Sequence, residues 1–362
     1  MLKLLETIVV TGVGGALFAW LHVPLAWMLG PLTAALLWTA FVRRPLYWPA
    51  SLRNAGLVAL GYGLGLSFTV DSARQIGSQL PFMLGATALT IAFSLIFAFA
   101  LSRGTGISFP TSAVGNIPGG LSQMVVLAEE IPDADPGVVT FLQTIRLLTV
   151  IFVVPFFAVH GLSDGVRQGA AALPVAPAEA AGPLAWAAGL PQPVMAAGVL
   201  ALALLAAWAA VRLKLPTPWF LGPIIVAAAL TAGGAEPPHP PNELILAAQW
   251  SLGIHLGLGI RLNALSGWRR LLPYAIVSSA ALIACSLGIA WIMSLAQPVS
   301  IATGFLSVSP GGMTEMGVTA GAVGADVSMV VAFQMFRILF ILFLVPYALR
   351  WMFCGRQTLS GQ

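Results

Sequence analysis

Pro118-Gly119-Gly120-Leu121-Ser122-Gln123-Met124 and Pro310-Gly311-Gly312-Met313-Thr314-Glu315-Met316 are two versions of one stretch. Proline lacks the backbone N–H that a helix interior needs, and paired glycines favour other conformations, so neither copy continues as regular helix. The flanking residues are nevertheless apolar enough to lie at membrane depth. Irregular backbone is tolerated there only where protein encloses it or where it lines a wet cavity. The two stretches therefore read as the functional centre, and the remaining chain as what holds them.

The composition sets the class. Of 362 residues 59% are hydrophobic and 8% charged, against roughly 25% charged in a soluble domain. This pattern predicts an all-α polytopic membrane protein. The net charge of +4 is scattered along the chain and flanks apolar segments, which predicts no nucleic-acid partner. Cys285 and Cys354 lie far apart and suggest neither a disulfide framework nor a metal site. The apolar run after Lys3 resembles a signal peptide, but further apolar segments follow, so an uncleaved first helix is expected.

Ten segments approach the roughly 20 residues that a bilayer demands: about 5–22, 25–42, 54–70, 81–102, 137–160, 193–212, 216–233, 245–261, 272–296 and 326–349. They divide into a first membrane repeat over 1–160 and a second over 193–350. An Ala/Pro/Gly-rich extramembrane linker over 161–192 separates them, and a polar tail over 351–362 follows. A shift of 192 carries Pro24, Trp27, Leu29, Gly30 and Pro31 onto Pro216, Trp219, Leu221, Gly222 and Pro223. It also carries Gly61 and Gly65 onto Gly253 and Gly257, Pro81 onto Pro273, and Pro118, Gly119, Gly120 and Met124 onto Pro310, Gly311, Gly312 and Met316. After one deletion a shift of 191 carries Asp135, Gln143, Arg146 and Pro155 onto Asp326, Gln334, Arg337 and Pro346. One offset kept over most of each half marks a tandem duplication.

The basic residues choose the relative direction of the halves. With five helices per half, a PGG stretch that enters and returns on one side, and the N-terminus inside, twelve basic residues fall inside: Lys3, Arg43, Arg44, Arg53, Arg103, Arg212, Lys214, Arg261, Arg269, Arg270, Arg350 and Arg356. Arg74 and Arg167 fall outside, and Arg146 and Arg337 within the membrane. Letting the PGG stretch cross fully reduces the bias to eight against six. The expectation is thus about ten spans in two inverted repeats of five. Each repeat has a broken, re-entrant PGG segment pointing toward the midplane, and both termini are cytoplasmic.

Arg146 and Arg337 sit about ten residues into the last helix of each half, roughly 15 Å from its end at 1.5 Å per residue. An arginine so deep costs at least about 2.5–3.5 kcal/mol and needs a partner. Gln143 and Gln334 lie three residues earlier on the same face. Each Arg/Gln pair reads either as a clamp for an anion or as a cap for carbonyls freed by the broken segment. Asn116, Ser122 and Gln123 flank one break, and Ser309, Thr314 and Glu315 the other. A helix restarting after Gly120 or Gly312 aims free N–H groups into the site, while freed carbonyls before the break can hold a cation such as Na⁺. The bland alternative is a packing turn with no ligand. Glu315 has Gln123 as its counterpart, and reads either as an ion-pair partner of Arg146 or Arg337 or as a titratable group coupling transport to H⁺. Asp135 and Asp326 read as N-caps. Gly61-x-Gly63-x-Gly65, with Gly253 and Gly257, reads as close helix packing rather than a dinucleotide fingerprint. The dispersed His22, His160, His239 and His255 read as structural.

The duplicated PxxWxLGP and PGG-x-[Ser/Thr]-[Gln/Glu]-Met elements resemble the bacterial AbrB-type inner-membrane family over nearly the whole chain. Members carry names as regulators and as ammonia monooxygenases, and the family shares its name with an unrelated soluble DNA-binding regulator. The resemblance implies an internally duplicated protein of the bacterial inner membrane and brings no residue roles with it. No clustered His, Cys or carboxylate set suits copper or iron, so no enzyme and no cofactor beyond a coupling ion, H⁺ or Na⁺, is expected. At fold level the pattern is similar to elevator-type carriers. The leading expectation is a secondary active transporter for a small, anionic organic solute. A membrane sensor of gene expression acting through a partner is the alternative, and a monooxygenase stands below both. Expected partners are the solute, membrane lipid and a second copy of the chain.

Overall fold

A computed structural model describes residues 2–42, 44–162, 191–215, 217–235, 237–260 and 268–354. Most of the linker expected over 161–192 and of the tail over 351–362 lies outside them, as do Pro216 and the side chain of Ser122. The described residues form helices and no strands. In order these are α1 (Leu2–Trp20), α2 (Ala26–Leu37, continued by a π-helical turn over Trp38–Val42), α3 (Ala50–Gly65), α4 (Val70–Thr105), α5 (Phe109–Asn116), α6 (Leu121–Glu130) and α7 (Pro136–Gly161). The second series is α8 (Gln192–Arg212), α9 (Pro218–Ala232), α10 (Asn242–Gly259), α11 (Trp268–Ala296), α12 (Ile301–Val308), α13 (Met313–Val323) and α14 (Val327–Cys354). The repeat offsets carry the first seven onto the last seven, one for one. Among the described residues six helices, α1, α4, α7, α8, α11 and α14, are long and apolar enough to cross a bilayer, and α2 and α9 are shorter apolar helices. The chain is a helical membrane protein.

The duplicated halves do not fold as two separate bodies. One compact unit gathers Met1–Ser78, Ala158–Ile260 and Thr314–Val331, and the other Gln79–Phe157, Arg261–Met313 and Ala332–Gln362. Each unit draws on both halves.

In the first unit the glycines explain how helices exchange between the halves. A Cβ on Gly61 of α3 would strike the carbonyl oxygen of Phe220 in α9, and one on Gly253 of α10 would strike that of Met28 in α2. These contacts are repeat mates, since the 192 shift takes 28 to 220 and 61 to 253. One turn further, a Cβ on Gly65 would lie 2.7 Å from Ile224 O, and one on Gly257 2.6 Å from Leu32 O. Only bare backbone fits at such distances, the small-residue contact that lets helices approach within a membrane protein. The seam is therefore made twice, with α3 on α9 and α10 on α2. Met28, Leu29, Leu32, Phe220 and Ile254 are fully buried beside it. α3 meets its own mate α10 in the opposite sense: Ser251 Oγ donates to Leu52 O at 3.1 Å and accepts from Trp48 Nε1 at 3.0 Å, while Gly56 faces Ala248 O. These two mates run antiparallel.

The second unit repeats that relation. Near the start of α4, Gln79 Nε2 donates to Gln297 Oε1 just beyond the end of α11 at 2.6 Å. Near the end of α4, a Cβ on Gly104 would lie 2.8 Å from the Tyr274 ring at the start of α11. These mates are antiparallel as well. Val139, early in α7, shares an apolar cluster with Ile341, Val345 and Leu349 late in α14, joined by Ile117, Met124 and Leu127 from the first break.

Candidate functional site

Both broken helices are started by the same device. Ser108 caps α5 by accepting from Thr111 N at 3.3 Å, and Ser300 caps α12 by accepting from Thr303 N at 3.1 Å. α5 ends at Asn116 and α12 at Val308, each followed by a residue in extended conformation, Ile117 or Ser309. The Pro-Gly-Gly turn comes next. α6 then starts from Gly120 with no side-chain cap. A Cβ on Gly119 would collide with Met124, which is buried against the turn. The methionine closing the motif thus occupies space that only glycine leaves.

A helix end leaves carbonyls without intrahelical partners, and in an apolar interior each needs one. Arg146 of α7 supplies them for the first break. Its Nη1 donates to the carbonyls of Asn116 at 3.3 Å and Ile117 at 2.9 Å, and its Nη2 to Gly119 O at 3.5 Å and Gln143 Oε1 at 2.5 Å. Arg337 of α14 does the same for the second. Its Nη1 donates to Val308 O at 3.2 Å and Ser309 O at 2.5 Å, and its Nη2 to Gly311 O at 2.6 Å and Gln334 Oε1 at 2.5 Å. The glutamines turn their amide nitrogens to the same segments. Gln143 reaches Val114 O and Ile117 O, both at 3.0 Å, and Gln334 reaches Leu306 O at 2.8 Å and Ser309 O at 3.0 Å.

Each guanidinium therefore commits four of its five donors. The fifth, Nε–H, is buried without a partner in both copies. Arg146 is 7% exposed and Arg337 3%. Within this unit every partner of the two guanidinium groups among the described residues is a carbonyl or amide oxygen, and none is a carboxylate. The arrangement leaves uncompensated positive charge and two free donors in a region of low dielectric.

Asn116 lies buried at the end of α5. Its Nδ2 donates to Ser112 O at 2.9 Å, and its Oδ1 accepts from the hydroxyl of Ser278 in α11. Ser278 was not legible as a partner, because the repeat puts Ala86 at its equivalent position and Val308 at that of Asn116. Pro118, Gly119 and Gly120 form the first turn; Gln123 is exposed, with its Oε1 beside Gly120. Pro310, Gly311 and Gly312 form the second turn, and Ser309 is buried with its Oγ on Phe305 O at 2.7 Å. Thr314 and Glu315 open α13 in the first unit, both buried. Glu315 O accepts from Thr319 Oγ1 at 2.7 Å, and its Oε2 has no partner among the described residues. Asp135 caps α7 by accepting from Gly137 N at 2.8 Å, and Asp326 caps α14 by accepting from Met329 N at 3.0 Å. Among the described residues no group of three or more His, Cys, Asp or Glu is placed to hold a metal ion.

Long apolar helices, a doubled helix order and two interrupted helices braced by buried arginines define a duplicated helical membrane protein. The sequence matches the family described as "Transition state regulatory protein AbrB" over residues 27–353, and the chain belongs to that family. It is 30% identical over 371 aligned residues to "Uncharacterized protein YhjN" of Bacillus subtilis (strain 168), covering 96% of this chain and 92% of that one. It is 27% identical over 334 residues to "Putative regulator AbrB" of Escherichia coli (strain K12), covering 91% of this chain and 90% of that one.

Proposed function

We propose that this protein is a secondary active transporter for a small organic anion, working by alternating access in an elevator-like manner and coupled to H⁺ or Na⁺. The observation that carries the reading is the matched pair of guanidinium groups. Arg146 and Arg337 hold the two breaks open with four hydrogen bonds each, yet keep a buried Nε–H and an unpaired charge apiece. A protein that needed only a structural brace would gain more from a neutral donor, since burying an uncompensated charge costs several kcal/mol. A carboxylate or similar solute supplies the missing counter-charge.

The antiparallel packing of α3 on α10 and of α4 on α11 supports two inverted repeats, 1–160 and 193–350, for mates related by an axis in the membrane plane run in opposite directions. We further propose that each half crosses five times, that α5/α6 and α12/α13 enter and return on one side, and that both termini face the cytoplasm of a bacterial inner membrane. Glu315, buried with a free Oε2, is the proposed coupling residue, and no covalent chemistry on the solute is involved. Gln123 and the glycines of the two turns are the proposed neutral contacts. The test is uptake into liposomes of labelled di- and tricarboxylates under an imposed H⁺ or Na⁺ gradient. Accumulation by wild type and none by Arg337→Ala is expected; no accumulation of any candidate by either ends the proposal.

The family's description and the name of the Escherichia coli relative favour a second reading, a membrane sensor that binds the same anion and signals to a partner. It predicts ligand-dependent co-purification of one stoichiometric partner and no net transport.

A further inference from the structure

Between α4 and α11 lies a groove of about 440 Å³, within the roughly 300–1,000 Å³ usual for small-molecule sites. Ala86, Ile289 and Met293 form its buried floor, while Leu89 and Ile292 stand exposed at its rim. Gly85 opens into it, and a Cβ there would meet nothing within 4 Å. The wall along α4 from position 81 to 89 is about 12 Å long at 1.5 Å per residue. Both helices are long and apolar enough to span a bilayer, and the dimensions of the groove suit an extended apolar chain.

Its end is polar. Two residues before Pro81, the first lining residue on α4, stands Gln79, 3% exposed, donating to Gln297, one turn after Met293. Gln79 Oε1 is buried and lacks a donor. A buried amide oxygen without a partner costs about 1–3 kcal/mol, which a hydrogen-bond donor on the occupant relieves. The repeat offers a contrast. At the opposite end of the same helix pair, Tyr274 lies on Gly104. The offset puts Phe82 and Ala296 here, so the glycine on which that ring rests is missing.

We propose that this groove binds one acyl chain of a membrane phospholipid whose headgroup carries a hydrogen-bond donor, anchored by the Gln79 amide. This does not depend on the transport reading. The test is native mass spectrometry of the purified full chain titrated with phosphatidylethanolamine or phosphatidylcholine, two zwitterionic lipids that differ in headgroup N–H donors. Wild type retains one phosphatidylethanolamine at least several-fold more tightly than phosphatidylcholine. Gly85→Leu, and the milder Gly85→Val that copies repeat position 277, lose it about tenfold, whereas Gly198→Leu, at an open glycine of α8 outside the lining, does not. Gln79→Leu removes the preference between the lipids. Unchanged retention in both Gly85 variants overturns the proposal. So does equal binding of the two lipids by wild type, or a change of oligomeric state in Gly85→Leu without loss of lipid, which would assign the groove to a second copy.

Discussion

Replacing Arg337 with lysine separates the bracing role of this residue from its charge. Arg337 satisfies four acceptors, Val308 O, Ser309 O, Gly311 O and Gln334 Oε1, from two nitrogens in a fixed fork. A lysine ammonium keeps the charge but has three donors on one atom. At least one acceptor in a buried site then goes unmet, at about 1–3 kcal/mol. At an unfolding entropy of about 2.1 cal/mol/K per residue, 1 kcal/mol is worth about 1.3 °C in a chain of 362 residues, so Arg337→Lys lowers the unfolding midpoint by roughly 1.3–4 °C. Arg146→Lys does the same, because its four acceptors are the repeat mates of these. The assay is thermal unfolding of purified protein in mild detergent, followed by tryptophan fluorescence. A midpoint within 1 °C of wild type for both lysine variants would refute the claim that these arginines hold the broken helices. A normal midpoint for lysine with a collapsed one for glutamine would mean that charge alone matters.

Gly61→Ala and Gly253→Ala each place a methyl against a carbonyl of the neighbouring helix; overpacking of this kind costs about 1–3 kcal/mol, and near-equal losses of thermal stability are expected. Ser278→Ala orphans Asn116 Oδ1 and costs about 1–3 kcal/mol, whereas Ser278→Ala/Asn116→Val installs the apolar pair of the other repeat and regains most of it in a double-mutant cycle. Asp133 holds φ 62° where its mate Gly324 holds 69°, and its carbonyl, rather than its side chain, accepts from Ser108 and Thr111; Asp133→Gly is expected to raise stability by up to about 1 kcal/mol, read as a higher midpoint. Glu315→Gln is expected to abolish gradient-driven uptake while sparing solute exchange across liposomes at equilibrium.

The breaks, the buried arginines and their glutamines were legible because each rests on a residue type that has few other uses at membrane depth, and because the offset displayed every one of them twice. The Gly61/Gly253 seam was legible as close packing but not as an exchange between halves. Spacing along one helix shows which face is small, not which helix meets it. The caps at Ser108 and Ser300 were readable in principle, since the offset pairs them and Thr111 and Thr303 follow three residues later. Their signal was weak against two long apolar runs. The left-handed residues Leu25 and Thr217, at φ 53° and 42°, had no signal at all: neither residue type favours that conformation, and only the connection from α1 to α2 and from α8 to α9 demands it. Ser278 was hidden for the opposite reason. It belongs to one half alone, so the comparison that made everything else visible pointed away from it.

The doubled glycine seam bears on how such a chain arose. Because α3 of one half grips α9 of the other while α10 grips α2 in return, every half carries both the tongue and the socket of the joint. A single unduplicated ancestor would have owned a self-complementary surface and paired with its twin before the genes fused. Expressed alone, residues 191–354 should still find one another as symmetric pairs, with Gly253 and Gly257 holding a second copy where they now hold the first half of their own chain.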